Sequence, residues 1–148
     1  MKQTFEDITI DQIVDLAAQK KEAGARAVQI HCTNTEEGVL VTYTFCHDGV
    51  DDVYENYQVH GVTPDTPLPS LQGMYLGLFP FENEAVDLFG LRVEGMVLDF
   101  AGRFYDLVEK APMTVITPAQ KAAREKAARL AKAKEARAAR ETASKEGE

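Results

Sequence analysis

Val39-Leu40-Val41-Thr42-Tyr43-Thr44-Phe45-Cys46 alternates with a period of two: Val39, Val41, Tyr43 and Phe45 fall on one face, and Leu40, Thr42, Thr44 and Cys46 on the other. β-Branched and aromatic residues in that pattern suit a pleated strand packed on a core. Two similar runs flank it. Arg26–Thr33 places Val28, Ile30 and Cys32 on one face, and Val53–His60 alternates Val53, Glu55, Tyr57 and Val59 against Tyr54, Asn56, Gln58 and His60. The links Asn34–Gly38 and His47–Asp52 are short and contain glycine, as hairpin connections do. Three strands joined this way form an antiparallel meander.

A helix is specified just upstream. Thr9-Ile10-Asp11-Gln12 reads as a capping box, with Thr9 as N-cap and Gln12 placed to reach back to it. Ile8 and Ile13 are spaced as a hydrophobic staple. Ile13, Leu16 and Ala17 recur at helical spacing, and Val14 widens that face. Lys20 and Lys21 fall in the last turn, where cations suit the helix dipole, and Gly24 closes it. An amphipathic helix on a meander gives a two-layer α+β domain.

Downstream, Gly61–Ser70 holds Pro64, Pro67 and Pro69 and reads as an irregular crossover. Ser70 then caps a short helix, Leu71–Leu78, weakened by Gly73 and Gly77. Pro80 ends that segment and opens Phe81–Phe89, a helix with Phe81, Ala85 and Leu88 on one side and Gly90 at its C-cap. Val93–Phe100 and Phe104–Val108 look extended, separated by the turn Ala101-Gly102-Arg103. The domain so described spans residues 1–112.

Residues 113–148 read as a linker and an Ala/Lys/Arg/Glu-rich helical tail. Thr117-Pro118-Ala119-Gln120 is a second capping box, and a helix to about Ser144 is supported by pairs such as Lys121–Glu125 and Glu125–Arg129. Leu130 is its only large aliphatic side chain, so this extended charged helix buries little surface by itself.

Composition sets outer bounds. A chain of 148 residues that is 45% apolar holds one domain plus an appendage. No run approaches the roughly 18 apolar residues of a membrane span. The stretch Met1–Asp7 does not read as a secretory signal, which makes the cytoplasm the expected compartment. Nine of the 16 Lys and Arg lie after Pro118 beside five Glu, so the tail is net positive by four and the first 118 residues net negative by twelve. An acidic body repels phosphate backbones, and no nucleic-acid partner is expected for it. The basic tail invites an RNA-binding reading, but it lacks aromatic residues and its glutamates dilute the charge.

The inventory of catalytic and ligating groups is short. Cys32 and Cys46 are too few for a structural zinc or an iron–sulfur cluster and read as small core hydrophobes. His31, His47 and His60 all lie in or beside the strands, outside any metal or catalytic motif. The densest polar cluster is Phe81-Glu82-Asn83-Glu84-Ala85-Val86-Asp87-Leu88-Phe89-Gly90. On a helix Glu84 and Asp87 share a face while Glu82 points elsewhere. Such carboxylates suit a hard metal or an acid/base pair, yet no histidine lies nearby. Acids near a helix N-terminus are also comfortable in the dipole field, and a structural or docking use is the simpler reading.

The stretch Glu82–Gly95, with Pro69-Ser70 and Phe79-Pro80 before it, resembles the signature of the complex I thirty-kilodalton subunit family. That subunit belongs to NADH:quinone oxidoreductase (NADH dehydrogenase), and relatives occur in membrane-bound, energy-converting [NiFe] hydrogenases. The family shows Glu-Arg-Glu-x-x-Asp-x-Phe-Gly, then an aliphatic residue, a short strand and Gly-His-Pro. Glu82, Glu84, Asp87, Phe89, Gly90 and Gly95 match. Asn83 replaces the arginine, Met96-Val97 replaces His-Pro, and Phe100 stands where a downstream arginine is usual. Those departures look more like the small subunits of Ech-type hydrogenases.

The resemblance implies a cofactor-free structural subunit of the cytoplasmic arm, peripheral on the inner face of the cell membrane. It implies docking on the large [NiFe] hydrogenase subunit, or the quinone-site subunit in complex I, beside a small iron–sulfur subunit and membrane subunits. The [NiFe] centre and iron–sulfur clusters would then reside in those partners, carrying electrons from ferredoxin-type donors to protons. Within this chain it implies that Glu82, Glu84 and Asp87 fix the helix-to-strand corner, Phe89 anchors it, and Gly90 and Gly95 permit its turns.

Overall fold

The computed structural model describes residues 2–47 and 53–114, together with Lys126. Every element below lies in the first of two compact units, Met1–Thr114, the second being Val115–Glu148. In chain order these are β1 (Lys2–Asp7), a 3-10 turn at Ile10–Gln12, α1 (Ile13–Glu22), β2 (Arg26–Thr35), β3 (Gly38–Cys46) and β4 (Val53–Val62). They are followed by β5 (Pro67–Pro69), a 3-10 turn at Leu76–Leu78, α2 (Phe79–Phe89), β6 (Arg92–Glu94) and a last 3-10 turn at Pro112–Thr114.

The meander is present, with β2–β3 and β3–β4 antiparallel, and β3 lies inside the sheet. Val39, Val41, Tyr43 and Phe45 share one face and are all at most 5% exposed. They meet Ile13 and Ala17 of α1, Ile30 of β2, Tyr57, Val59 and Val62 of β4, and Ala85 of α2 in one apolar cluster. Both helices therefore pack on this face of the sheet, as in an α+β domain. Lys20 of α1 reaches across this face to Glu55 at 2.7 Å and lies over the Tyr57 ring. The Thr9 N–H donates to Gln12 Oε1 at 2.9 Å, which closes that arm of the capping box, although the first turn is 3-10.

The sheet is mixed because β1 adds to it in parallel beside β4, giving the order β1-β4-β3-β2. Nothing in Lys2–Asp7 announces a strand: all six residues are exposed, so no apolar alternation is required of them. What holds β1 is the ladder itself and Asn56, whose Nδ2 donates to the Thr4 carbonyl at 3.0 Å while Oδ1 accepts from Thr44 Oγ1 at 2.8 Å.

Three sequence expectations need correction. Ser70 caps no helix, because Leu71–Tyr75 is a turn and only Leu76–Leu78 is helical, as a 3-10 turn leading into α2. Val93–Phe100 is extended only at Arg92–Glu94, which pairs in parallel with Pro67–Pro69, and Phe104–Val108 is irregular. Backbone groups of Leu98, Phe100 and Tyr105 are instead satisfied by side chains of α2 and the 70–72 loop, and those of Ala101 and Arg103 within the segment, so no ladder is needed at these positions. The proposed tail helix lies outside the described residues.

The β2–β3 hairpin closes on Gly38, at φ +131°, where an added Cβ would meet the Val62 carbonyl oxygen at 2.8 Å and the Gly61 backbone behind it. Neither neighbour is a flexible side chain. Gly38→Ala is expected to destabilise the domain by about 2 kcal/mol or more, read as a lower urea midpoint at unchanged slope.

Candidate functional site

The carboxylates singled out in the sequence do separate tasks, assigned by their places on α2. Glu82, in its first turn, is 3% exposed. Its carboxylate accepts from Ser70 Oγ at 2.6 Å, from the Leu71 N–H at 2.7 Å and from Gln72 Nε2 at 2.9 Å. This acid is committed to the loop before the helix, with a full set of donors. Burial pushes the Glu82 carboxyl above the ordinary carboxylate range, and its three hydrogen bonds only partly offset that.

Asn83, the residue that departs from the family pattern, is 1% exposed and faces the other way. Its Nδ2 donates to the Phe79 carbonyl at 2.7 Å and to the Leu98 carbonyl at 2.8 Å, and its Oδ1 accepts from the Phe100 N–H at 3.0 Å. Gln72 completes the clamp: its Oε1 accepts from the Leu98 N–H at 2.7 Å while its amide serves Glu82. One turn further on, Asp87 Oδ2 accepts from the Tyr105 N–H at 2.8 Å. Glu84 Oε2 accepts from the Tyr105 hydroxyl at 3.2 Å. Glu84 and Asp87 thus share a face, as their spacing requires, and both bind Tyr105.

The segment so held, residues 95–108, is a strap of irregular backbone. Gly95 turns it out of β6 at φ +83°, and Ala101 and Gly102 turn it back at φ 52° and 73°. Phe100 stacks on Phe79, the first residue of α2, and Phe104 meets it edge-on, with ring centroids 6.5 and 6.3 Å away. At the other end of the helix Phe89 packs against the main core. Gly90 ends α2 in the left-handed conformation at φ 64°, where a Cβ would press on Ala111 at 3.2 Å. Five of the six signature positions therefore lie on α2 or at its C-cap, with Glu82 and Asp87 directed inward, and Gly95 lies just past β6.

Sequence reading missed Gln72 and treated Asn83 only as a departure. A buried amide has no periodicity of its own, and its value here lies in pairing with backbone far along the chain. Cys32 is consistent with a packed, unreactive thiol: burial, with Glu84 adding to it, pushes it up to about 12. Among the described residues no three His, Cys, Asp or Glu side chains gather as a metal site would require.

No protein-family model matches the chain, and no curated protein matches it. Solved structures do. A chain of the membrane-bound sulfane sulfur reductase (MBS), an archaeal respiratory membrane complex, aligns with a TM-score of 0.65 at 16% identity, over 76% of this chain and 68% of that one. The trypsin-resistant fragment (1–134) of Nqo5 aligns with a TM-score of 0.55 at 20% identity, over 64% of this chain and 80% of that one. The fold is shared with both. At these identities the likeness is one of fold, and function must be argued from the site.

Glu82→Gln is expected to lower stability by about 1–3 kcal/mol at neutral pH, because an amide must turn a donor toward Leu71 N–H or Gln72 Nε2. The pH response fixes the sign of the burial effect. A carboxyl whose folded pKa is raised binds more protons folded than unfolded, so its contribution falls as pH rises from the ordinary carboxylate range through the folded value. Urea melts across that window should show the fall in the wild type and its flattening in the Gln variant.

Proposed function

We propose that this chain is a cofactor-free accessory subunit of a complex I-related respiratory membrane complex. One observation carries the reading: a fold like that of Nqo5 and the MBS chain is combined with a helix whose Glu82, Asn83 and Asp87 hold backbone of the preceding loop and of the strap. A helix that fixes a presented segment suits a subunit whose task is assembly. Among the described residues no helix is long and apolar enough to cross a membrane, so attachment would run through partners.

The finer reading is a subunit of an energy-converting [NiFe] hydrogenase, docked on the large catalytic subunit in the cytoplasmic arm beside the small iron–sulfur and membrane subunits. The nickel centre and the clusters would belong to those partners, and electrons would pass from a ferredoxin-type donor to protons. Asn83, Met96-Val97 and Phe100 support a branch other than complex I proper. Asn83 in particular is built into the clamp through Leu98 and Phe100, in a role an arginine would not reproduce.

A tagged full-length chain purified from detergent-solubilised membranes should bring with it a large catalytic subunit, an iron–sulfur subunit and membrane subunits. Hydrogen evolution from reduced ferredoxin by that complex would establish the hydrogenase branch, whereas sulfane-sulfur reduction or NADH:quinone activity would replace it. Recovery of the chain alone would contradict membership of any such complex.

A further inference from the structure

Two features of the α2–strap region go beyond what the contacts within the domain use. The first is Asp87 Oδ1. Asp87 is 4% exposed and its Oδ2 serves Tyr105, but Oδ1 is buried with no hydrogen-bond partner among the described residues. An unsatisfied buried acceptor is costly and rarely retained without use. The second is the strap's outer surface. Val97, Phe100, Tyr105 and Val108 are 62%, 43%, 41% and 103% exposed, although Gln72, Asn83 and Asp87 hold the amides of Leu98, Phe100 and Tyr105 among them.

The two features meet at Gly102, which is itself exposed. A Cβ there would lie 4.0 Å from Asp87 Oδ1, and beyond the adjoining residues nothing else would stand within 4 Å. The exposed Ala101-Gly102 turn is thus the cover over the unpartnered oxygen, and a donor reaches it by displacing that turn, beside Glu84 at Tyr105 and the apolar side chains of the strap. A planar, multi-donor cation with an apolar stem suits such a contact better than a compact ammonium, which holds its water more strongly. The body of the chain is net negative by twelve, which favours a cationic visitor.

We propose that the strap is a docking surface for a partner-protein segment that displaces the Ala101-Gly102 turn and delivers an arginine to Asp87 Oδ1 and Glu84 between apolar neighbours. This rests on the reading of the chain as a subunit and adds the chemistry of the contact. Exposed aromatic and aliphatic side chains around one desolvated charge partner are the features of an interface centre.

The test has two arms on the full chain. In the first, ethylguanidinium is titrated against the labelled protein, with ethylammonium at matched ionic strength as control. Saturable amide shifts at Gly102 and Tyr105, weaker with ethylammonium and lost in Asp87→Asn, support the proposal. Asn keeps an acceptor for the Tyr105 N–H and should melt no lower than the wild type. Should it fail to fold, Glu84→Gln takes its place and should weaken the same shifts. In the second arm, Asp87→Asn in the tagged chain should reduce co-purifying subunits on the order of 30-fold.

Absent shifts, shifts that persist in Asp87→Asn, equal response to ethylammonium, or a dimer abolished by Phe100→Ala would each overturn the arginine assignment. A negative titration beside an intact wild-type complex overturns this inference alone. A wild-type chain recovered without partners overturns the subunit reading and, with it, the assignment of a partner.

Discussion

The carboxylate of Glu82, buried between Ser70, Leu71 and Gln72, is the constraint on which the second half of the domain depends. It fixes the loop that follows β5 to the first turn of α2, and by doing so orients Gln72. Gln72 then reaches Leu98 from one side while Asn83, the next residue on the helix, reaches it from the other. The strap is thus held through side chains that are themselves held. In a low-dielectric interior such a network is strong when complete and costly when broken, which makes it a device for specifying one conformation.

The division of labour along α2 follows from helical geometry. Residues one apart diverge by about 100°, so Glu82 and Asn83 serve opposite loops, while Glu84 and Asp87, three apart, converge on one residue, Tyr105. Apolar positions between them, such as Ala85, face the sheet. A single eleven-residue helix therefore joins the core, the preceding loop and the strap, which is why its sequence reads as a signature.

Much of the first half was legible because burial imposes period. Val39–Cys46, its two flanking strands and the helix from Ile13 announce themselves through alternation or helical spacing, and Gly90 through its place after the last helical turn. What escaped had no such pattern. β1 is exposed along its length, so its residues were free to be polar, and its pairing with β4 rests on the backbone ladder and on single polar contacts, Asn56 to the Thr4 carbonyl and His60 to Asp7. Val93–Phe100 and Phe104–Val108 look extended in sequence because such residues look alike whether a ladder or an amide side chain satisfies them. Gln72 and Asn83 act over 26 and 15 residues of separation, a distance at which sequence alone offers no pairing rule.

The central claim is that side chains of α2 and the 70–72 loop take the place of a sheet ladder for residues 95–108. Native-state hydrogen exchange at the Leu98, Phe100 and Tyr105 amides measures this most directly. Protection comparable to the β3 amides, lost at Phe100 on Asn83→Ala and at Leu98 on Gln72→Ala while β3 stays protected, is the predicted result. Exchange of these three amides at the rate of an unstructured chain, in a protein whose sheet is intact, would contradict it.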